Sequence, residues 1–147
     1  MPMIAIENPA QADVIALLQA ADAWYAKLYP AESNHLLDVA SLQGTEVSFF
    51  VARQTDGALL GYGAVVDQGG YAEIKRMYVA PAARGLKLGR RLLERLEARV
   101  AELGLTCIRL ETGIRQPEAI ALYRKAGYRD IGPFGDYRPD PLSLFME

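Results

Sequence analysis

Between Val79 and Leu93 the chain reads Val-Ala-Pro-Ala-Ala-Arg-Gly-Leu-Lys-Leu-Gly-Arg-Arg-Leu-Leu, residue types suited to holding an anion. The run predicts a turn at Pro81 and a long helix from about Leu86. No Ser, Thr, Asp or Asn stands among residues 79 to 88, so the free N–H groups of the first turn have no side-chain acceptor. Arg84, Lys87, Arg90 and Arg91 crowd the positive end of the helix dipole, where each cation costs up to about 1 kcal/mol. Free donors ringed by cations suit a phosphate, which Gly85 and Gly89 would let the backbone approach closely. The competing reading of the same charges is a solvated basic helix end.

Composition narrows the classes. The chain has 147 residues, 51% of them apolar, enough for one domain spanning residues 1–147 around a real core. The net charge is -2 and like charges do not run together, so neither a nucleic-acid nor a membrane-surface role is supported. The chain start lacks a basic-then-apolar signal pattern, and no uncharged apolar stretch approaches about 18 residues. With one cysteine, a reducing cytoplasmic setting is expected. One Cys and one His exclude a zinc site built from those ligands, and no metal is expected. A Cys–His nucleophile would need Cys107 and His35, but Cys107 lies in the strand-like run Thr106 to Leu110 and reads as core.

The elements that must position these residues follow from periodicity. Met3 to Glu7 reads as a strand and Ala10 to Leu28 as a helix carrying Val14, Leu17, Leu18, Ala21 and Tyr25 on one face. A second helical piece is predicted over Asn34 to Leu42. Glu46 to Ala52 and Leu59 to Val66 form a hairpin around Thr55-Asp56-Gly57, and Gly69-Gly70 turns into a strand from Tyr71 to Val79. The helix beyond it carries Leu88, Leu92, Leu96, Val100 and Leu103 and ends at Gly104. Thr106 to Glu111 is a strand reached by a helical crossover, hence parallel to the one before. Pro117 to Lys125 is a short helix, and Leu142 to Phe145 a last strand. The fold class is mixed α/β (α+β), with a partly antiparallel central sheet of about six to seven strands. Gly61-Tyr-Gly63 lies inside a hairpin strand, so it is no dinucleotide fingerprint.

With these elements in place, Val79-x-Pro81-x-x-Arg84-Gly85-x-x-x-Gly89 opening a helix resembles the acyl-CoA-binding core of the GNAT N-acetyltransferase superfamily. Gln116-Pro-Glu-Ala119-Ile-Ala-Leu-Tyr123-Arg-Lys-Ala-Gly127-Tyr128 resembles that family's second cofactor segment, in the expected order and spacing. The likeness runs from about Phe49 to the end, and the final residues resemble a group of small bacterial acetyltransferases. Two departures stand out. Lys87 occupies the usual first Gly of Arg/Gln-x-x-Gly-x-Gly/Ala, which matters if the loop needs a positive φ there. Gln116 stands where Asn is common.

The resemblance implies direct attack of an amine on the thioester of acetyl-CoA, without a covalent enzyme intermediate or a metal. It places the pyrophosphate on the backbone of Arg84, Gly85, Leu86, Lys87, Leu88, Gly89 and Arg90. Met77, Tyr78 and Val79 would pair with the pantetheine arm, and Gln116 lies in the second cofactor segment. Glu73 matches a base glutamate of the histone-acetylating branch, Glu111 is a second candidate, and water chains serve some relatives. Read alone, Glu73 and Lys75 could equally form an exposed charged ladder. Tyr123 falls on the family's proton-donating tyrosine, although Ala119, Leu122, Tyr123 and Ala126 also make an apolar face that would suit a core residue. Tyr29, Asn34, His35 and Tyr137 are the acceptor-site candidates. The expected acceptor is the primary amine of a small molecule. A protein amine, a non-catalytic acyl-CoA sensor and a homodimer stay open.

Overall fold

The computed structural model describes residues 2–33 and 36–147, so the acceptor-site candidates Asn34 and His35 lie outside the described residues. Strands β1 (Met3–Ile6), β2 (Val47–Arg53), β3 (Leu59–Asp67) and β4 (Ala72–Val79) run antiparallel in succession. β5 (Ile108–Gly113) lies parallel to β4, β7 (Ser143–Met146) antiparallel to β5, and β6 (Asp130–Ile131) antiparallel to β7. They make one seven-stranded sheet in the order β1-β2-β3-β4-β5-β7-β6. The mixed, partly antiparallel sheet of the sequence reading is therefore present. The two-residue β6 was not expected; it lies within the stretch read as loop.

Helices α1 (Ala12–Leu28) and α2 (Val39–Leu42) cover one face, and α3 (Leu88–Glu102) and α4 (Pro117–Lys125) the other. Phe50, Val65, Ile74 and Leu110 point to the α3 side. Phe49, Val51, Tyr62 and Ala64 point to the α1 side. Covering on both faces explains why β2 and β3 read as nearly unbroken apolar runs. Leu88, Leu92, Leu93, Leu96 and Val100 form the buried stripe of α3, each worth about 1.5–3 kcal/mol of burial. Among the described residues no helix is long and apolar enough to cross a membrane.

One irregularity in β4 matters for the site. Tyr62 pairs with Tyr78 but Ala64 with Lys75, so β4 carries an extra residue and bulges. Arg76 sits in the bulge at φ 61°, a conformation costing an L residue about 1–2 kcal/mol. Asp22 of α1 holds it, with the Arg76 Nη1 donating to Oδ1 at 2.5 Å. The bulge shifts the alternation, so that Lys75 and Tyr78 both face α1 while Met77 faces α3.

Several boundaries shift for local reasons. The helix expected from Leu86 begins at Leu88, because Lys87 adopts the left-handed conformation. Of the piece expected over Asn34 to Leu42, the described part is helical only in the short α2, capped by Asp38 Oδ1 accepting from the Ser41 N–H; a single turn at Ala31–Ser33 precedes that stretch. Cys107, read as core, precedes β5, is half-buried, and donates from Sγ to Glu147 Oε1 at 3.5 Å.

Candidate functional site

The strands β4 and β5 start as neighbours and then part. Their register runs Ala72–Ile108, Glu73–Arg109 and Ile74–Leu110, and stops there, although β4 continues to Val79 and β5 to Gly113. β4 keeps β3 on its far side, and β5 keeps β7. Two backbone edges therefore face an open cleft, an arrangement that invites an extended ligand to pair like a strand.

The cleft leads to the start of α3. Among the described residues no protein acceptor takes the backbone N–H of residues 85 to 90, and Lys87 offers no side-chain cap. Gly85 at φ 90° and Lys87 at φ 56° curl these amides into a concave turn, the kind of nest that binds anions. The position where Lys87 replaces the usual Gly is thus one with a positive φ. The surrounding cations are partly committed. Arg84 donates from Nε to the Val79 carbonyl at 3.3 Å and lies over the rings of Trp24 and Tyr78, while Arg90 pairs with Glu94 at 3.1 Å.

A small cavity of about 70 Å3 lies where the strands part, lined by Met77, Glu111, Gln116 and Tyr123 among others. Tyr123 is buried, and among the described residues its hydroxyl finds only the Met77 sulfur, at 3.8 Å. Burial first, and then the charges of Tyr25 and Glu111, push its pKa above the usual tyrosine value. Glu111 accepts from Ser143 Oγ at 2.7 Å. Gln116 precedes α4 and donates from Nε2 to Tyr29 Oη at 3.4 Å.

Tyr29 is a brace as well as a wall of that cavity. Its hydroxyl also accepts the Arg115 N–H at 3.0 Å, and the ring packs so tightly on Gly113 that a Cβ there would lie 1.9 Å from the oxygen. Only glycine fits beneath it. The end of α1 is tied in this way to the loop before α4.

A second, larger cavity of about 820 Å3 opens on the α1 face of the sheet. Glu73, Lys75 and Tyr137 line it. Glu73 is only 4% exposed, which rules out the surface charge ladder. Its Oε2 accepts from Tyr137 Oη at 2.6 Å and stands 3.6 Å from Lys75 Nζ, and its Oε1 accepts from Gln68 Nε2 at 3.1 Å. Lys75 Nζ also donates to Tyr137 Oη at 2.5 Å. Burial and the hydrogen bond to Glu73 raise the Tyr137 pKa. Lys75 and Leu36 line both cavities, which are therefore neighbours. Lys75 and Gln68 fall outside the sequence-based candidates; the two-residue spacing of Glu73 and Lys75 was the available signal.

The cleft, the amide nest and the buried tyrosine stand on the two segments picked out in the sequence. A profile of the Acetyltransferase (GNAT) family matches residues 15–128. The chain belongs to the GNAT acetyltransferase family. This GNAT chain is 53% identical over 146 residues to an IAA acetyltransferase of Azospirillum brasilense, an alignment covering 98% of this chain and 95% of the relative. It is 32% identical over 120 residues to the uncharacterized N-acetyltransferase YsnE of Bacillus subtilis, covering 80% and 79% of the two chains. Among solved structures, a Klebsiella pneumoniae protein assigned as an acyl-CoA N-acyltransferase superposes with a TM-score of 0.83 at 39% identity, over 99% of this chain and 95% of that one. The PaiA N-acetyltransferase of Thermoplasma acidophilum, solved in complex with coenzyme A, shares the fold at a TM-score of 0.77 and 19% identity, over 99% and 97%. The GNAT chain is accordingly an acetyltransferase enzyme with the acyl-CoA N-acyltransferase fold.

Proposed function

We propose that this GNAT enzyme transfers the acetyl group of acetyl-CoA to a primary amine of a small molecule. The observation that carries the reading is continuity. The unpaired β4 edge runs without a break towards the unpaired amides of residues 85 to 90. A ligand with an extended amide-bearing arm and a diphosphate meets matching groups along that path. The pantetheine arm would pair with Met77, Tyr78 and Val79, and the diphosphate would sit on the turn from Arg84 to Arg90.

The thioester then falls beside the small cavity. The acceptor's ammonium group loses a proton, and the lone pair so freed attacks the thioester carbon. A backbone N–H near Tyr78 or Val79 meets the oxyanion, the C–S bond breaks, Tyr123 gives its proton to the departing sulfur, and the second proton lost by the attacking nitrogen restores the tyrosine, directly or through water. Glu73 takes the amine's proton, directly or through water, on the side of the large cavity. Glu111 stands on the thioester side of Lys75 as the second carboxylate in range.

The test follows free thiol while the protein meets acetyl-CoA and a panel of primary amines. Amine-dependent thiol release, with coenzyme A binding detected by calorimetry, is the expected result. Coenzyme A binding without release over every amine would leave an acyl-CoA sensor instead. Glu73→Gln should lower kcat more than Glu111→Gln does.

A further inference from the structure

Tyr137 reaches Glu73 from a distant part of the chain. It stands in the irregular stretch 132–142 between β6 and β7, 64 residues beyond its partner. Ordering a side chain on such a stretch costs conformational entropy, which packing must offset. Aromatic rings provide that packing. Phe134 meets Tyr71 edge-on at 5.7 Å and Phe145 at 5.9 Å. The Tyr137 ring lies 5.1 Å from Phe134 and 5.4 Å from Phe145. Its backbone N–H donates to the Phe134 carbonyl at 3.1 Å and closes a turn. The hydroxyl is thus carried on a built scaffold to one point of the cavity wall.

At that point its hydrogen bonds have one direction. The Lys75 ammonium carries only donors, so at 2.5 Å the Tyr137 oxygen accepts from it. The hydroxyl keeps a single proton to give, and Glu73 Oε2 takes it at 2.6 Å. Burial first, and then the bond to Glu73, raise the Tyr137 pKa, so the hydroxyl stays a donor. Gln68 Nε2 holds the other oxygen, Oε1, at 3.1 Å. Turning the carboxylate would break a hydrogen bond at each end. Its charge already has Lys75 at 3.6 Å, so what the hydroxyl adds is direction. A general base needs direction, because its lone pair must lie on the line of the proton it takes.

We propose that Tyr137 is the positioning residue for the reaction's base: its hydroxyl fixes the angle at which the Glu73 carboxylate meets the acceptor's proton. This inference rests on the acetyltransferase reading with Glu73 as base. It moves Tyr137 from a contact for the acceptor to a support for the carboxylate.

Tyr137→Phe keeps the ring and its aromatic neighbours and removes only the hydroxyl. Thiol release from acetyl-CoA, with the fastest amine of the panel, is compared in the wild type, Tyr137→Phe, Glu73→Gln and the double variant. In Tyr137→Phe kcat should fall about tenfold, the lower range for a lost hydrogen bond to a charged group, with KM for acetyl-CoA unchanged. In the Glu73→Gln background the same substitution should change kcat by less than about twofold, since no base is left to aim. A hydroxyl that merely supported the fold would lower kcat by the same factor in both backgrounds. That equal loss, or a wild-type kcat in Tyr137→Phe beside a slow Glu73→Gln enzyme, would overturn the inference and leave the base in place. A Tyr137→Phe chain that failed to fold, as read by circular dichroism, would overturn it too, making the hydroxyl a prop of the structure. A wild-type kcat in Glu73→Gln would remove the base and this inference together, while the acetyltransferase reading stands. Thiol release from none of a broad amine panel would remove that reading first.

Discussion

Tyr123 is buried, and among the described residues its hydroxyl meets a thioether at 3.8 Å. A free phenol near pKa 10 is well matched to a thiol leaving group near 8.5. The buried phenol of the resting site is a weaker acid than that, since burial raises its pKa. The sign follows directly: Tyr123 stays protonated to higher pH than a free tyrosine, so its titration should give kcat no alkaline limb up to about pH 9. As the proposed donor, Tyr123 would transfer its proton late, once negative charge has built on the departing sulfur. Tyr123→Phe should lower kcat about a hundredfold, the low end for a lost general acid, with KM for acetyl-CoA nearly unchanged. The fold should survive, because the hydroxyl gives up only a weak sulfur contact. A Tyr123→Phe enzyme with wild-type kcat would return the residue to the core, where its apolar helix face had equally allowed it to belong.

Local chemistry at the level of single elements was easy to read in the sequence, and distant assembly was not. α4 runs over Pro117–Lys125 as expected, since Pro opens it and Gly127 follows its end. The amide-rich turn and Tyr123 were legible for the same reason, each lying on one short segment. The left-handed Arg76 was not, because it is no glycine and nothing nearby marks a positive φ; at Lys87 only the family's usual Gly pointed to one. The bulge at Arg76 sends Met77 to the α3 face and keeps Tyr78 on the other, which a plain strand alternation would have reversed. The large cavity was equally hidden, for its lining comes from segments between Leu36 and Tyr137. Lys87 offers a clean measurement of one such exception. Lys87→Gly and Lys87→Ala lose the same charge, and only Gly relieves the φ of 56°. The Gly variant should be the more stable by about 1 kcal/mol in urea unfolding, after allowing for its floppier unfolded chain. If the Ala variant matches or exceeds it, the left-handed start of α3 is wrong.

At the scale of the whole molecule, arginines tie the chain ends to the sheet. Arg53 of β2 donates from Nε to both Glu7 oxygens at 3.1 Å and from Nη1 to Asp13 at 2.6 Å, clamping the segment between β1 and α1. Arg109 of β5 does the same for Glu147, also at 3.1 Å. In each case the arginine hydrogen bond is the main reason the carboxyl pKa lies below its ordinary value, 4.5 for Glu7 and Glu147 and 3.8 for Asp13. A carboxyl lowered in the folded state binds protons more readily once unfolded. Its contribution is complete above the ordinary value and fades as pH falls through the lowered one. Thermal stability should therefore hold steady down to about pH 5 and then decline as the solution is made more acid. Arg53→Met removes two of the three ties at once. It should lower Tm on the neutral plateau and make the acid decline shallower, because Glu7 and Asp13 would then titrate near their unfolded values. Since these groups are partly exposed, added salt should narrow the difference between the two proteins. Wild-type and Arg53→Met curves running parallel through the acid range would mean that the clamp does not set the acid limit of the fold.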